Sequence, residues 1–262
     1  MDIPMTSTRR GALAALAFTL TVWLAATPAA ADDYGTCGKA SGDEAIAACT
    51  RAIDSGRYSG RQLAALFNNR CSEWNGKQES DKAFADCNEA IRLYPDYALA
   101  FFNRGNAYFA KGQYDRAIED YNQSIQLNPN YANAFSNRGN TYSNQGQYDR
   151  AIEDYNEAIR LNPNHADAFY NRGTAYNANG QHDRAIEDFN QSIRLSPGHA
   201  DVFYNRGITY KAMAFYNRGF SWERKNDLQR ALADFKKSSE LAPSDPNGPK
   251  GVERVTKALS GR

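Results

Sequence analysis

The chain is poor in the residues that build metal, redox and catalytic sites. It has three histidines, dispersed at 165, 182 and 199, and four cysteines without a Cys-x-x-Cys spacing. Protein metal sites need several such ligands at short, defined spacings. No serine, cysteine or carboxylate pair stands in a recognisable catalytic spacing either. We therefore expect no metal, no cofactor and no enzymatic activity.

The chain also lacks an excess of charge of either sign. Removing Asp2, Arg9 and Arg10, which lie in a proposed leader, from the totals of 31 basic and 30 acidic side chains leaves 29 of each. A neutral, interspersed surface has no long-range field to hold a phosphate backbone. We expect no nucleic-acid partner.

Residues 1–31 have the composition of a secretory signal peptide. Two arginines at 9 and 10 precede an apolar run over residues 11–26 and three alanines at 29–31. The run is shorter than the roughly 20 residues needed to cross a bilayer, although an uncleaved anchor is the alternative. We expect a periplasmic or secreted protein that does not insert into a membrane after cleavage. The double arginine partly resembles a twin-arginine export signal, so the export route stays open.

Beyond the leader, an Asn-Arg-Gly triplet returns every 34 residues. The triplets begin at Asn103, Asn137, Asn171 and Asn205, and Asn69-Arg70-Cys71 stands one period earlier. This period is typical of a helix-turn-helix unit that cannot bury its apolar face alone and must stack on copies of itself. The repeat predicts an all-α, right-handed solenoid.

Three units carry the same large, small and aromatic residues in register. They are Phe101, Gly105, Tyr108, Ala117, Tyr121 and Pro129; Phe135, Gly139, Tyr142, Ala151, Tyr155 and Pro163; and Phe169, Gly173, Tyr176, Ala185, Phe189 and Pro197. On these residues the chain resembles the tetratricopeptide repeat proteins, of an exported bacterial type. The resemblance implies a degenerate half-repeat at 32–62, a solenoid over 64–245 and a capping helix at 246–262. The units are then 64–97, 98–131, 132–165, 166–199, a truncated 200–211, and 212–245.

The residue types within a unit have physical reasons. Phe101, Gly105 and Tyr108 share one helical face, and we expect the glycine to allow close approach to Ala117. A glycine before the second helix ends the first helix, and Asp115 is expected to cap the second.

Every complete unit has arginine where family members usually have leucine, and aspartate sixteen residues later. The pairs are Arg70 with Asp86, Arg104 with Asp120, Arg138 with Asp154, Arg172 with Asp188, and Arg218 with Asp234. We predict an ion pair across each hairpin, made through two parallel hydrogen bonds. The alternative is that these arginines stay free to bind acidic ligands.

Arg206 has no such aspartate, because its unit breaks off. The segment 202–207 is followed after only 12 residues by the similar segment 214–219, as if a first helix had been duplicated. We expect one long helix from about 201 to 225, or a helix kinked near Met213.

All four cysteines lie near the beginning of the mature chain. Cys71 and Cys87 occupy the glycine and aromatic positions of one unit, which face each other inside a hairpin, so we predict a Cys71–Cys87 disulfide and, by default, Cys37–Cys49. Redox-active or metal-binding thiols are the alternative.

The family resemblance implies that the first helices line a concave groove that binds protein or peptide. The candidate residues there are amides and aromatics: Asn68, Phe102, Asn106, Phe109, Asn140, Asn144, Tyr170, Asn177 and Tyr204. Asparagine can hold an extended peptide backbone, and aromatic rings add apolar area. Chaperone-docking members use a clamp of asparagines and lysines. This chain matches Asn106 and Asn137 but has Phe102 and Asp201 near the lysine positions, so we do not expect that clamp.

A second series of asparagines, the first residues of the Asn-Arg-Gly triplets, has a structural alternative. These side chains could bond between neighbouring helices and stabilise stacking. The leading functional hypothesis is a scaffold that binds an extended peptide or an envelope protein. The alternative is a self-assembling structural protein of the envelope, docking through Tyr210–Phe220. The sequence does not indicate the oligomeric state.

Overall fold

The structure, a computed structural model, describes residues 33–198, 200–243 and 245–261, so the proposed signal peptide lies outside the described residues. Thirteen helices and no strand are found in these ranges. They are α1 (Asp33–Lys39), α2 (Gly42–Asp54), α3 (Gly60–Gly76), α4 (Ser80–Leu93), α5 (Ala98–Ala110), α6 (Tyr114–Leu127), α7 (Ala132–Asn144), α8 (Tyr148–Leu161), α9 (Ala166–Ala178), α10 (His182–Leu195), α11 (Ala200–Arg224), α12 (Leu228–Leu241) and α13 (Asn247–Ser260). Consecutive helices pack in antiparallel pairs, and each pair stacks on the next to form an all-α solenoid.

The turn inside each hairpin needs a left-handed residue. Gly112, Gly146 and Gly180 supply it, with φ of 69°, 73° and 72°. Gln78 and Asn226 take the same turn position in two other units, each with φ of 60°. Asparagine tolerates this conformation, whereas glutamine is strained in it, so at Gln78 the turn geometry is imposed by the packing of the two helices.

The hairpin core is a glycine packed against an aromatic ring. A Cβ added to Gly105 would lie 2.7 Å from the ring of Tyr121. The expected neighbour, the alanine of the second helix, contributes less: at Gly139 the carbonyl oxygen of Ala151 would lie 3.2 Å away, behind the ring of Tyr155 at 2.9 Å. The glycine is therefore required by the aromatic residue of the second helix.

In the first complete unit a disulfide replaces this glycine–aromatic contact. Cys71 of α3 is bonded to Cys87 of α4, and Cys37 of α1 is bonded to Cys49 of α2. All four cysteines are buried, and no described cysteine is free. The pairing is the one predicted from the sequence. The segment expected to be a degenerate half-repeat contains two helices, α1 and α2.

Two other expectations are settled by the helix termini. Asp115 does not cap α6; the cap residue is Gln113, and the Asp115 carboxylate instead accepts a hydrogen bond from Gln145 of the next unit, 2.9 Å away. The duplicated segment forms one continuous helix, α11, without a break near Met213.

None of the described helices is both long enough and apolar enough to span a bilayer.

Candidate functional site

The repeated arginines are occupied by structural contacts. In each of the five pairs the guanidinium donates two hydrogen bonds of 2.6–2.8 Å to the aspartate of its own hairpin. The aspartate side chains are 7–9% exposed. Four of the arginines are themselves only 16–21% exposed and lie between helices, so they are not displayed to an acidic ligand, whereas Arg218 is 59% exposed while it holds Asp234.

A third hydrogen bond ties the arginine to the preceding unit. Nη1 of Arg104 donates to Asn88, Nη1 of Arg138 to Asn122, Nη1 of Arg172 to Asn156, Nη1 of Arg206 to Asn190, and Nη1 of Arg70 to Thr50. One side chain thus links the two helices of its own hairpin and the second helix of the unit before. We did not expect this contact, although the asparagines stand sixteen residues before the arginines in the sequence.

The candidate groove lies on the first helices of three consecutive units, α5, α7 and α9. Three adjoining cavities of about 430, 230 and 260 Å³ follow this face, and Asn140 lines all of them. Among the predicted residues, the cavities are lined by Phe102, Asn106, Phe109, Asn140, Asn144 and Tyr170. We call this surface the groove.

Two asparagine amides in the groove have a fixed orientation. Oδ1 of Asn106 accepts hydrogen bonds from the Tyr121 hydroxyl, at 2.9 Å, and from Nδ2 of Asn137, at 2.8 Å. Oδ1 of Asn140 accepts in the same way from the Tyr155 hydroxyl, at 2.8 Å, and from Nδ2 of Asn171, at 2.9 Å. Within the described residues nothing accepts from Nδ2 of Asn106 or Asn140. Both amides therefore present N–H donors to the groove.

The two tyrosines keep the protons that this arrangement needs. Tyr121 and Tyr155 are 1% exposed, and burial raises the pKa of both phenols. A protonated hydroxyl donates to Oδ1 and leaves it no lone pair to offer elsewhere once the neighbouring asparagine has also donated. Asn137 and Asn171, the first residues of their Asn-Arg-Gly triplets, thus bond between neighbouring helices, as in the structural alternative, and at the same time orient the groove amides.

Aromatic rings flank the amides. Phe102 packs edge-on against Tyr131, with ring centroids 4.9 Å apart, and Phe109 lies 5.7 Å from Tyr114. Tyr170 packs against Phe189 at 6.1 Å. These contacts hold the rings in place while part of each remains exposed, so the groove has preformed apolar surface beside its donors.

One edge of the groove holds a histidine that the sequence had not singled out. His165 precedes α9 and lines the largest of the three cavities together with Asp167. Its Nε2 is buried without a hydrogen-bond partner in the described residues, and burial lowers the pKa of the ring. The imidazole is therefore neutral near pH 7.

Three of the predicted residues lie outside the groove. Asn68 is buried, 4% exposed, and accepts a hydrogen bond from Nδ2 of Asn103. Asn177 lies within 2.8 Å of a His182 ring nitrogen at the end of α9. Tyr204 is exposed but lines a separate concavity on α11.

The face proposed for self-assembly is also partly covered. Tyr216 and Phe220 pack against Phe235, and Arg254 of α13 lies over Phe220. The capping helix therefore covers the second half of the segment Tyr210–Phe220 only in part, since Phe220 is still 36% exposed. The more exposed aromatic residues of α11 lie in its first half.

A sequence signal for the groove exists in the pairing of two positions. Only the units 98–131 and 132–165 combine tyrosine in the second helix with asparagine fifteen residues earlier, as in Tyr121 with Asn106. The unit with Phe189 has Thr174 at that place, which bonds back to its own helix. The tyrosine hydroxyl and the asparagine amide thus occur in the same units. This correlation becomes visible only when the two positions are compared across the repeats.

Comparison with known proteins agrees with this architecture. Models of the TPR repeat match residues 105–146, and models of the tetratricopeptide repeat match residues 87–119 and 137–200. No curated protein matches the chain.

Solved structures show the same fold at low sequence identity. A thermophilic TPR protein from Thermus thermophilus has a TM-score of 0.55 and 18% identity, with 64% of this chain and 90% of that chain covered. A structure of MamA has a TM-score of 0.51 and 24% identity, with coverage of 61% and 91%. YrrB, described as a TPR protein with an unusual peptide-binding site, has a TM-score of 0.50 and 22% identity, with coverage of 79% and 99%. With its 34-residue period, its stacked hairpins and these family matches, the chain is a tetratricopeptide repeat protein.

Proposed function

We propose that the protein is a non-catalytic scaffold that holds an extended segment of another protein in the groove. The observation that carries the proposal is the fixed orientation of Asn106 and Asn140, whose Oδ1 atoms are fully used and whose Nδ2 atoms face the cavities. Two such donors on neighbouring helices suit backbone carbonyl groups, which an extended peptide offers whatever its side chains.

The aromatic residues supply the second part of the interaction. Phe102, Phe109 and Tyr170 are rigidly packed and partly exposed, so apolar side chains of the peptide would be buried against them at low entropic cost. YrrB, which shares the fold, is described as having an unusual peptide-binding site, and we extend that use to this groove.

We also propose that the protein works in the periplasm or outside the cell. Both disulfides are formed and buried, and disulfides persist in oxidising compartments. The apolar run at 11–26 would direct export. Detecting the mature chain in the periplasmic fraction, beginning near residue 32, tests this point; a cytoplasmic full-length protein would contradict it.

The groove is tested by capture of partners from an envelope extract on the immobilised mature protein, followed by measurement of affinity for the captured segment. Replacing both Asn106 and Asn140 with alanine should weaken binding by about 2 kcal/mol, since each lost hydrogen bond contributes about 1 kcal/mol. Asn130→Ala with Asn164→Ala is the matched control, because these asparagines are exposed in turns of the same units. Unchanged binding in the groove variant, with its helicity intact, would refute the assignment.

The alternative function, self-assembly into an envelope structure, rests on the exposed aromatic residues of α11. Phe203, Tyr204 and Tyr210 are 42%, 69% and 52% exposed. Light scattering over a concentration series measures this directly, and a monomer at every concentration would argue against it.

A further inference from the structure

We infer that the first half of α11 carries a vacant docking site for one amphipathic helix of a partner protein. The site consists of Phe203, Arg206, Gly207 and Tyr210, which we call the vacant site. It is separate from the groove and does not depend on the function proposed there.

The vacant site is a duplicate of a site that is filled in the same helix. Residues 203–207 and 215–219 share the sequence Phe-Tyr-Asn-Arg-Gly. The second copy receives α12: Asp234 pairs with Arg218, and a Cβ on Gly219 would lie 2.9 Å from the ring of Phe235. The first copy receives no helix from the described part of the chain, because the chain runs on through α11 instead of turning back.

Glycine contacts show that the space is open. The corresponding Gly105, Gly139 and Gly173 would each place a Cβ within 2.9 Å of an aromatic ring, whereas no described atom lies within 4 Å of a Cβ on Gly207. Beside it a concavity of about 390 Å³ is lined by Phe203, Gly207 and Leu241, the last residue of α12. The surface that normally buries a second helix is thus exposed.

Arg206 is already positioned for a carboxylate. Its Nη1 donates to Asn190 at 2.6 Å, and its guanidinium lies 5.4 Å from the ring centre of Phe203. The equivalent Arg172 has the same two contacts, at 2.6 Å and 5.5 Å, and in addition holds Asp188. No carboxylate in the described ranges pairs with Arg206. Compared with Arg172, the guanidinium of Arg206 lacks the carboxylate partner.

The filled sites define the chemistry of the occupant. The buried residues of α6 include Ala117, Asp120 and Tyr121, and α12 buries Ala231, Asp234 and Phe235 at the same places. The partner helix therefore needs a small residue, a carboxylate three residues later and an aromatic residue next to it. Such a helix would bury its apolar stripe on Phe203 and Tyr210 and pair its carboxylate with Arg206.

A second copy of this chain is not the occupant that we assign. Its helices of this type, α6, α8, α10 and α12, are each packed against their own first helix through a glycine–aromatic contact. Offering one of them to another molecule would require its hairpin to open. A helix from a different protein meets the site without that cost.

The test uses an acetylated, amidated and fluorescein-labelled peptide with the sequence of residues 228–241, titrated with the full mature chain and followed by fluorescence anisotropy. We expect saturable binding that Gly207→Leu weakens at least tenfold, because the added side chain fills the place of the aromatic ring. Ala214→Leu, at an exposed position of the same helix, is the matched control and should bind like the wild type. Arg206→Gln should weaken binding of this peptide about tenfold. A second peptide, with asparagine in place of Asp234, should bind the Arg206→Gln variant about as weakly as the first peptide does, because the ion pair is already lost.

Three results would overturn the inference. They are the absence of saturable binding at millimolar peptide, binding that Gly207→Leu leaves unchanged, and dimerisation of the chain that Gly207→Leu abolishes, which would make a second copy the occupant. Thermal melting of each variant without peptide shows whether the fold is kept. If Gly207→Leu does not fold, the Arg206→Gln variant still tests the site, because it leaves the packing of Gly207 unaltered.

Discussion

At the scale of single residues, one arginine in each of four units joins three helices. Arg138 pairs with Asp154, sixteen residues later, and bonds to Asn122, sixteen residues earlier. The spacing of sixteen residues towards the C-terminus predicts the ion pair with Asp154. The same spacing towards the N-terminus leads to Asn122, the hydrogen-bond partner in the preceding unit. Because the guanidinium has five N–H donors in a planar fork, it can serve both neighbours at once. Leucine, usual at this position in the family, could do neither.

Replacing Arg138 with methionine should destabilise the protein by about 3 kcal/mol. The change leaves the carboxylate of Asp154, 8% exposed, without its partner, and an uncompensated buried charge costs several kcal/mol. Urea unfolding measures the free-energy difference, with Arg150→Met on the exposed side of α8 as the control, expected to change it by less than about 0.5 kcal/mol.

The double variant Arg138→Met with Asp154→Leu separates the two effects. It should recover part of the loss, since both buried charges are removed together. If the double variant were as unstable as the sum of the single changes, the interpretation of a stranded carboxylate would be wrong.

At the scale of helices, α11 divides between two arginines the contacts that one arginine makes elsewhere. Arg206 keeps the backward bond to Asn190, and Arg218 keeps the forward pair with Asp234. Sixteen residues before Arg218 stands Val202, which cannot accept a hydrogen bond. The sequence predicted the duplication but not whether the helix would kink, because continuity depends on α10 and α12 packing against its two halves.

Two glycine-to-alanine changes should have opposite effects on this helix. Gly207→Ala should stabilise the protein by about 1 kcal/mol, the difference in helix propensity, because no described atom lies within 4 Å of the added Cβ. Gly219→Ala should destabilise it, since its Cβ would lie 2.9 Å from Phe235. Thermal unfolding of the two variants measures both, and destabilisation by Gly207→Ala would mean that the vacant site is filled.

At the scale of the whole molecule, the period of 34 residues predicted the stack of hairpins well, because every unit repeats the same local packing problem. The groove was predicted in part. Phe102, Asn106, Phe109, Asn140, Asn144 and Tyr170 lie together in it. Asn68 was expected there from its position in the repeat, but its unit has Ser72 where the next two units have asparagine, so Asn103 donates to Asn68 instead and buries it.

A long-range contact near the end of the chain had no local signal. Asp245, between α12 and α13, reaches back 63 residues to His182, with Oδ2 and Nε2 2.7 Å apart. A residue pattern within one unit cannot indicate such a contact, because it depends on how far α11 extends. The contact fastens the C-terminal segment to the turn between α9 and α10.

This contact should make the stability of the protein depend on acid. Burial alone would raise the pKa of the Asp245 carboxyl, but hydrogen bonds from His182 and from the Asn247 amide outweigh it and hold the pKa below its usual range. A carboxyl whose pKa is lower in the folded state binds fewer protons than in the unfolded chain. Its contribution is therefore present above the unfolded pKa of about 4 and is lost as the pH falls through the folded value.

Comparing Asp245→Asn with the wild type at several pH values measures that contribution. At pH 6 the variant should be less stable by about 1–3 kcal/mol in urea unfolding, because a charged acceptor has been removed from a buried site. The difference should shrink as the pH is lowered from about 5 to about 3, since the carboxyl of the unfolded wild-type chain takes up a proton in this range before the folded one does, which favours unfolding. Asp227→Asn, which alters the half-exposed carboxylate beside α12, is the control and should show a smaller change. A difference between Asp245→Asn and the wild type that stayed constant down to pH 3 would show that the carboxylate charge does not fasten the C-terminal segment.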